Sequence, residues 1–169
     1  QNAKAAPGTI YIRADGSIDP PSANITSFDN VTYVFTDNVN DHIVVERNDI
    51  VIDGAGHALI GVTVGRGIDL SGRTNVTIKK VTISHFPHGI YLFSSSNNSI
   101  LANYIPGDYT PGEYYDYGIE LYFSSNNIIS ANNITDTFIG IYVDESSNNN
   151  TISANNIIGN YEGIQLYSS

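Results

Sequence analysis

The sequence predicts an all-β chain wound as a single-stranded parallel β-helix, a solenoid of about 22–23 residues per coil with an N-terminal β cap. Three observations predict it. A Gly-Ile pair followed two positions on by an aliphatic residue recurs as Gly67-Ile68-Asp69-Leu70, Gly89-Ile90-Tyr91-Leu92, Gly118-Ile119-Glu120-Leu121, Gly140-Ile141-Tyr142-Val143 and Gly163-Ile164-Gln165-Leu166, at spacings of 22, 29, 22 and 23. Two isoleucine columns keep the same step: Ile78, Ile100, Ile129 and Ile152, then Ile83, Ile105, Ile134 and Ile157, each at 22, 29 and 23. The pieces between columns are short and strand-like, and they are separated by Gly or Asn, which accept the positive φ of a sharp corner. No stretch shows a helical period.

Residues 1–41 do not repeat. They hold strand-like stretches at Thr9–Ile12 and 31–35 around a Pro20-Pro21 break. A solenoid needs its terminal coil covered, so this segment is expected to cap the stack and to serve in assembly. The helix itself is expected over 42–169. Its first, less regular coil carries Ile43, Val45, Ile50, Ile52 and Leu59, with Asp49-Ile50-Val51-Ile52 matching Asn75-Val76-Thr77-Ile78 at a spacing of 26. In the later coils, alternation turns Ile68/Leu70 and their counterparts inward and turns Asp69, Tyr91, Glu120, Tyr142 and Gln165 outward. Asn98, Asn127 and Asn150 stand two positions before inward isoleucines, where the preceding coil has Val76. They are expected to form a buried ladder, with Asn75, Asn97, Asn126 and Asn149 facing out. The long spacing is a seven-residue insertion before Gly118. Tyr104, Tyr109, Tyr114, Tyr115, Tyr117 and Tyr122 gather in or beside it. The chain stops at Ser168-Ser169 where earlier copies continue, so the last coil is expected to be open.

Seven Lys+Arg against seventeen Asp+Glu give 7 − 17 = −10, which argues against a nucleic-acid partner and against a tightly held anionic polymer. Charged residues make up 14% of the chain, below the ~25% of an average globular protein. Asparagine and serine supply the missing polarity. With 41% hydrophobic residues the chain can bury a core. Cysteine is absent, which removes disulfides, thiolate metal sites and a Cys nucleophile. Methionine is absent too, so a chain starting at Gln1 reads as an extracellular or cell-surface protein after signal removal. No apolar run approaches the ~20 residues of a membrane span.

The candidate chemistry is sparse. Asp69 and Glu120 share an outward column but lie two coils apart, about 10 Å at ~4.8 Å per coil, which is wide for a hydrolytic pair. No Arg is expected beside them in register. No catalytic or metal-ligating set is therefore assigned. His85 and His88 flank Phe86-Pro87, and His57 is expected near Ile83, one coil from His85, but no third ligand follows. Asp108, Glu113 and Asp116 in the insertion read as solvated acids with at most weak calcium affinity. Tyrosines on a protruding loop, Tyr109, Tyr114 and Tyr115 above all, suit sugar rings or a partner protein. Asn24, Asn30, Asn75, Asn97, Asn133 and Asn149 head Asn-x-Ser/Thr sequons and are candidates for covalent N-linked glycans.

The motifs Gly-Ile-x-Leu, Ser-Ser-Asn-Asn-x-Ile and Ala-Asn-Asn-Ile, preceded by Ile52-Asp53-Gly54-Ala55-Gly56-His57, resemble the NosD-like or CASH group of right-handed parallel β-helices over roughly residues 40–169. They are especially similar to secreted archaeal surface repeat proteins. That group spans carbohydrate-processing enzymes, a periplasmic accessory protein for copper-enzyme maturation, and surface proteins, so the resemblance implies the fold more than the activity. The leading expectation is a non-enzymatic extracellular structural protein without cofactor. It would assemble head-to-tail into a filament, sheath or surface layer, through contact between Ile164, Leu166 and Tyr167 and the Thr9, Ile10, Tyr11, Ile12 strand of a neighbour. The alternatives are a carbohydrate-binding or glycan-processing module and a copper accessory protein.

Overall fold

The computed structural model describes residues 8–108, 115–144 and 146–167. Within them the chain is a parallel β-helix with no helix among the described residues. The first sheet runs, neighbour to neighbour, Ile18–Asp19, Thr9–Ile12, His42–Val45, Arg66–Asp69, His88–Phe93, Tyr117–Tyr122, Ile139–Val143 and Glu162–Leu166. The second runs Ile25–Thr26, Thr32–Phe35, Ile50–Asp53, Val76–Lys79, Ser99–Leu101, Ile128–Ser130 and Thr151–Ser153. The third runs Ala58–Ile60, Thr82–Ser84, Tyr104–Pro106, Asn133–Thr135 and Asn156–Ile158.

Each regular coil gives one strand to each sheet, and the sequence columns are the register. Ile68, Ile90, Ile119, Ile141 and Ile164 pair in succession. So do Ile78, Ile100, Ile129 and Ile152. Ile50 pairs with Val76 at the expected offset. The inward aliphatics of the middle coils are fully buried, Ile90, Leu92, Ile119 and Leu121 among them. Each contributes roughly 1.5–3 kcal/mol.

The glycine of each Gly-Ile pair answers to space. A Cβ on Gly89 would lie 2.5 Å from the carbonyl oxygen of Gly118, and one on Gly118 would lie 2.5 Å from that of Gly140. The backbone bends there, so glycine and isoleucine are buried consecutively. One consequence is that Arg66, His88 and Tyr117, just before the glycines, emerge on the same face as Asp69, Tyr91 and Glu120.

The asparagine ladder forms as expected. Asn98 accepts from the Val76 N–H at 2.9 Å, Asn127 from the Asn98 N–H at 2.9 Å, and Asn150 from the Asn127 N–H at 2.8 Å. A second, unforeseen ladder runs through Asn103, Asn132 and Asn155 at the next corner. A third joins Ser95, Ser124 and Ser147. Burial is tolerable for all three because every amide or hydroxyl finds backbone partners one coil away.

The expected boundary at residue 41 is corrected by the pairing. Thr9–Ile12 pairs in parallel with His42–Val45, and Thr32–Phe35 with Ile50–Asp53, so both strands are rungs of the stack. Their buried alternation, Ile10 with Ile12 and Tyr33 with Phe35, matches the coil interior. Capping falls to Ile18–Asp19 and Ile25–Thr26, which pair antiparallel and close that end. Tyr11 and Ile12 therefore have paired neighbours on both edges, whereas Thr9 and Ile10 pair on one edge only, with His42 and Ile43. Half of the strand expected to meet the exposed Ile164, Leu166 and Tyr167 of another copy is thus already paired on both sides.

Candidate functional site

The outer face of the first sheet is where polar chemistry concentrates. Three rows run across it, set by the register of successive coils. One row holds Arg66, His88, Tyr117, Ile139 and Glu162. The next holds Asp69, Tyr91, Glu120, Tyr142 and Gln165. The third includes Phe93 and Tyr122.

At the centre is Glu120. Its outward direction is as the alternation requires, but it is not solvated, being only 1% exposed. Its Oε2 lies 2.6 Å from His88 Nδ1, and its Oε1 accepts from the Tyr122 hydroxyl at 3.3 Å. His88 stacks on Tyr117, with centroids 5.7 Å apart and planes 6° from parallel. Rings close the surround: Tyr91 on Tyr122 at 5.6 Å, Tyr122 on Tyr142 at 5.2 Å, and Tyr117 on Tyr142 at 6.1 Å. A carboxylate hidden in this way persists only because it is hydrogen-bonded and faces an imidazole.

A second polar unit adjoins the first. The Arg66 guanidinium donates to Asp69 Oδ2 at 2.7 Å and lies 3.5 Å above the centre of the Tyr91 ring. Asp69 Oδ1 also accepts from the Ser71 N–H. An Arg beside the acidic column contradicts the sequence expectation. Strict alternation sets residues three apart on opposite faces, and the bend at Gly67 reverses that. The same bend hid the His88–Glu120 contact.

Burial raises the phenol pKa of Tyr91, Tyr117, Tyr122 and Tyr142 above the ordinary tyrosine value. The Glu120 carboxylate adds to the shift at Tyr117, Tyr122 and Tyr142, and Arg66 opposes it at Tyr91. All four phenols are therefore protonated donors at neutral pH, and none is a base.

Other sequence candidates are dispersed. His57 precedes Ala58, the partner of Thr82, so it aligns with Val81 and not Ile83, four positions out of register with His85. His85 stands exposed at a left-handed corner, while His42 donates from its Nδ1–H to the Arg66 carbonyl and packs on Phe86. Asp116 is not a solvated loop acid: it is 6% exposed, accepts from the Phe138 N–H at 2.7 Å, and has its pKa raised by burial. Tyr109, Glu113 and Tyr114 lie outside the described residues. Tyr115 is exposed with its ring edge on Phe138, which in turn stacks on Tyr161.

Of the sequon asparagines, Asn30, Asn75, Asn97 and Asn149 sit exposed at left-handed corners with φ of 55–57°. Asn75 donates to Asp49. Asn24 is exposed and donates to the Asn38 carbonyl, whereas Asn133 is half-buried in a strand and accepts from Asn156.

A family model described as periplasmic copper-binding protein (NosD) matches residues 13–169. Among curated proteins and solved structures, none matches. The copper in that description asks for soft or imidazole donors brought together. The sequence has neither Cys nor Met, and the described residues hold no group of three or more His, Cys, Asp or Glu placed to share an ion. His88 meets one carboxylate and His42, His57 and His85 stand elsewhere, so the described donors do not fit a resident copper ion.

Proposed function

The chain belongs to the NosD family, and on that premise we propose that it is an exported, non-catalytic β-helix that binds saccharide across the outer face of its first sheet. One observation carries the reading: Tyr91, Tyr117, Tyr122 and Tyr142 pack on one another over the Glu120 carboxylate, with His88 and Arg66 set among them. Sugar rings present apolar C–H faces rimmed by hydroxyls. Aromatic rings with phenol tips match both features. The ring contacts and ion pairs hold these side chains before a ligand arrives, which lowers the ordering cost of binding. A solenoid face also suits a polymer, since each coil repeats a similar strip ~4.8 Å further on.

The carboxylates argue for binding over hydrolysis. Asp69 and Glu120 are separated by the strand carrying Tyr91, and each has its own partner, Arg66 for Asp69 and the His88 ring for Glu120. Head-to-tail assembly was expected to use Thr9–Ile12, of which Tyr11 and Ile12 are already paired on both edges, and the aromatic face favours the saccharide reading.

Glycan-array screening followed by calorimetry tests it. A Tyr117→Ala/Tyr142→Ala double variant should keep its circular dichroism and lose at least tenfold in affinity, at roughly 1.4 kcal/mol per decade. Tyr104→Ala, on the third sheet, should bind as the parent does. A parent protein that binds no saccharide, or equal losses from Tyr104→Ala, refutes the assignment.

A further inference from the structure

One corner of the solenoid carries more asparagine than its backbone requires. The turn leading into the second sheet sets Asn30, Asp49, Asn75, Asn97, Asn126 and Asn149 in register on successive coils. All six are exposed and left-handed, with φ between 55° and 61°. Asparagine tolerates that conformation better than most residues, but the conformation alone does not select it. The corner that leaves the second sheet has φ of 52–57° and is occupied by Ala55, Lys80, Ala102, Ala131 and Ala154. Two positions beyond the asparagine column stand Thr32, Val51, Thr77, Ser99, Ile128 and Thr151. Val51 and Ile128 show that the fold needs no hydroxyl there. Yet Asn30, Asn75, Asn97 and Asn149 are each followed by one, which completes an Asn-x-Ser/Thr acceptor.

We propose that this corner is an N-glycosylation edge, and that the spacing of coils decides which acceptors are filled together. It shares with the saccharide-binding reading only the export of the chain. The donor is an oligosaccharide linked to a polyprenyl phosphate or pyrophosphate, and the catalyst is a membrane oligosaccharyltransferase. The asparagine Nδ2 forms a bond to the anomeric carbon. The bond from that carbon to the lipid phosphate oxygen breaks, the lipid phosphate leaves with the electron pair, and one amide proton passes to a base of the transferase. Asn30 and Asn149 each stand two coils or more from the next acceptor in the column, roughly 10 Å at ~4.8 Å per coil. Asn75 and Asn97 are on adjacent coils, about 5 Å apart, which is too close for two branched glycans. One of that pair therefore excludes the other, and a single molecule carries three glycans along this edge. Asn24 and Asn133 lie outside the column. Asn24 donates to the Asn38 carbonyl, and Asn133 is half-buried within a strand of the third sheet. Both stay unmodified.

Intact mass of the protein isolated from its native cells, followed by glycopeptide sequencing, tests this. The expected result is three glycan masses above the polypeptide, at Asn30, at Asn149 and at either Asn75 or Asn97. Ser99→Val copies the valine already present at position 51 of the same column. It should remove the glycan from Asn97, move the occupancy of the pair to Asn75, and leave circular dichroism unchanged. Protein at the bare polypeptide mass overturns the proposal. Glycans on Asn24 or Asn133 as often as in the column overturn the corner as the determinant. Asn75 and Asn97 both filled on one molecule overturn the exclusion between coils. A glycan kept on Asn97 in Ser99→Val overturns the role of the hydroxyl.

Discussion

Asn127 shows how much a single side chain holds here. Its Oδ1 accepts from the Asn98 N–H at 2.9 Å, while its Nδ2 donates to the Ser95 carbonyl at 3.2 Å and to Asn150 Oδ1 at 3.1 Å. It therefore ties its own coil to the coils before and after. Asn127→Ala strands one buried donor and one buried acceptor, at about 1–3 kcal/mol for each. Equilibrium urea unfolding should show a loss of about 2–4 kcal/mol, and a loss under about 0.5 kcal/mol would mean the ladder is decoration. This residue was legible in the sequence because its column held Val76 two coils earlier, and an apolar occupant betrays an inward position. The second ladder, at Asn103, Asn132 and Asn155, had Val81 in the same place and could have been read by the same reasoning. Glu120 was not legible: alternation gives a side chain's direction, but its burial depends on aromatic neighbours from adjoining coils.

At the level of the element, the deciding feature is the bend at each Gly-Ile pair. The repeat made the glycines visible, but not the reason for them. They are kept by contact with the next coil, which also turns Arg66, His88 and Tyr117 onto the functional face. Alternation alone could not show that, because it assumes an unbroken strand. Gly118→Ala would place a Cβ 2.5 Å from the Gly140 oxygen and 2.7 Å from Ile134 Cγ2. Backbone and core must both shift, at about 1–3 kcal/mol or more. Gly72→Ala makes a useful contrast: its φ is +70° and nothing lies within 4 Å of the added Cβ, so only the left-handed strain of roughly 1–2 kcal/mol applies. Thermal unfolding should rank Gly118→Ala below Gly72→Ala. The opposite order would show that conformation, and not close approach, selects the glycines. The capping strands belong to this scale as well. Ile18–Asp19 and Ile25–Thr26 are too short to announce themselves in a sequence, and only their antiparallel pairing reveals them as the closure.

For the whole molecule, stacking imposes an electrostatic condition that no single coil reveals. Coils ~4.8 Å apart bring like charges well inside the Debye length of roughly 10 Å at 0.1 M salt. The described ion pairs are Arg13 with Asp19 and Glu46, Arg66 with Asp69, Lys79 with Asp53, and His88 with Glu120. Most involve partly exposed groups, for which about 0–1 kcal/mol each is typical. Against them stands a net charge of −10 spread along the solenoid, whose self-repulsion opposes the compact stack. Screening weakens both effects, but carboxylates outnumber the cations available to pair them, so relief of repulsion should dominate. Sodium chloride serves better than sulfate here, because sulfate also strengthens hydrophobic burial. Raising it from about 0.02 to about 0.5 M should lift the unfolding midpoint by a few degrees, on the order of 1 kcal/mol for a chain of this size. A falling midpoint would mean that the buried pair at Glu120 and the exposed pairs together outweigh the acidic excess. The acidic face would then be held by its internal partners.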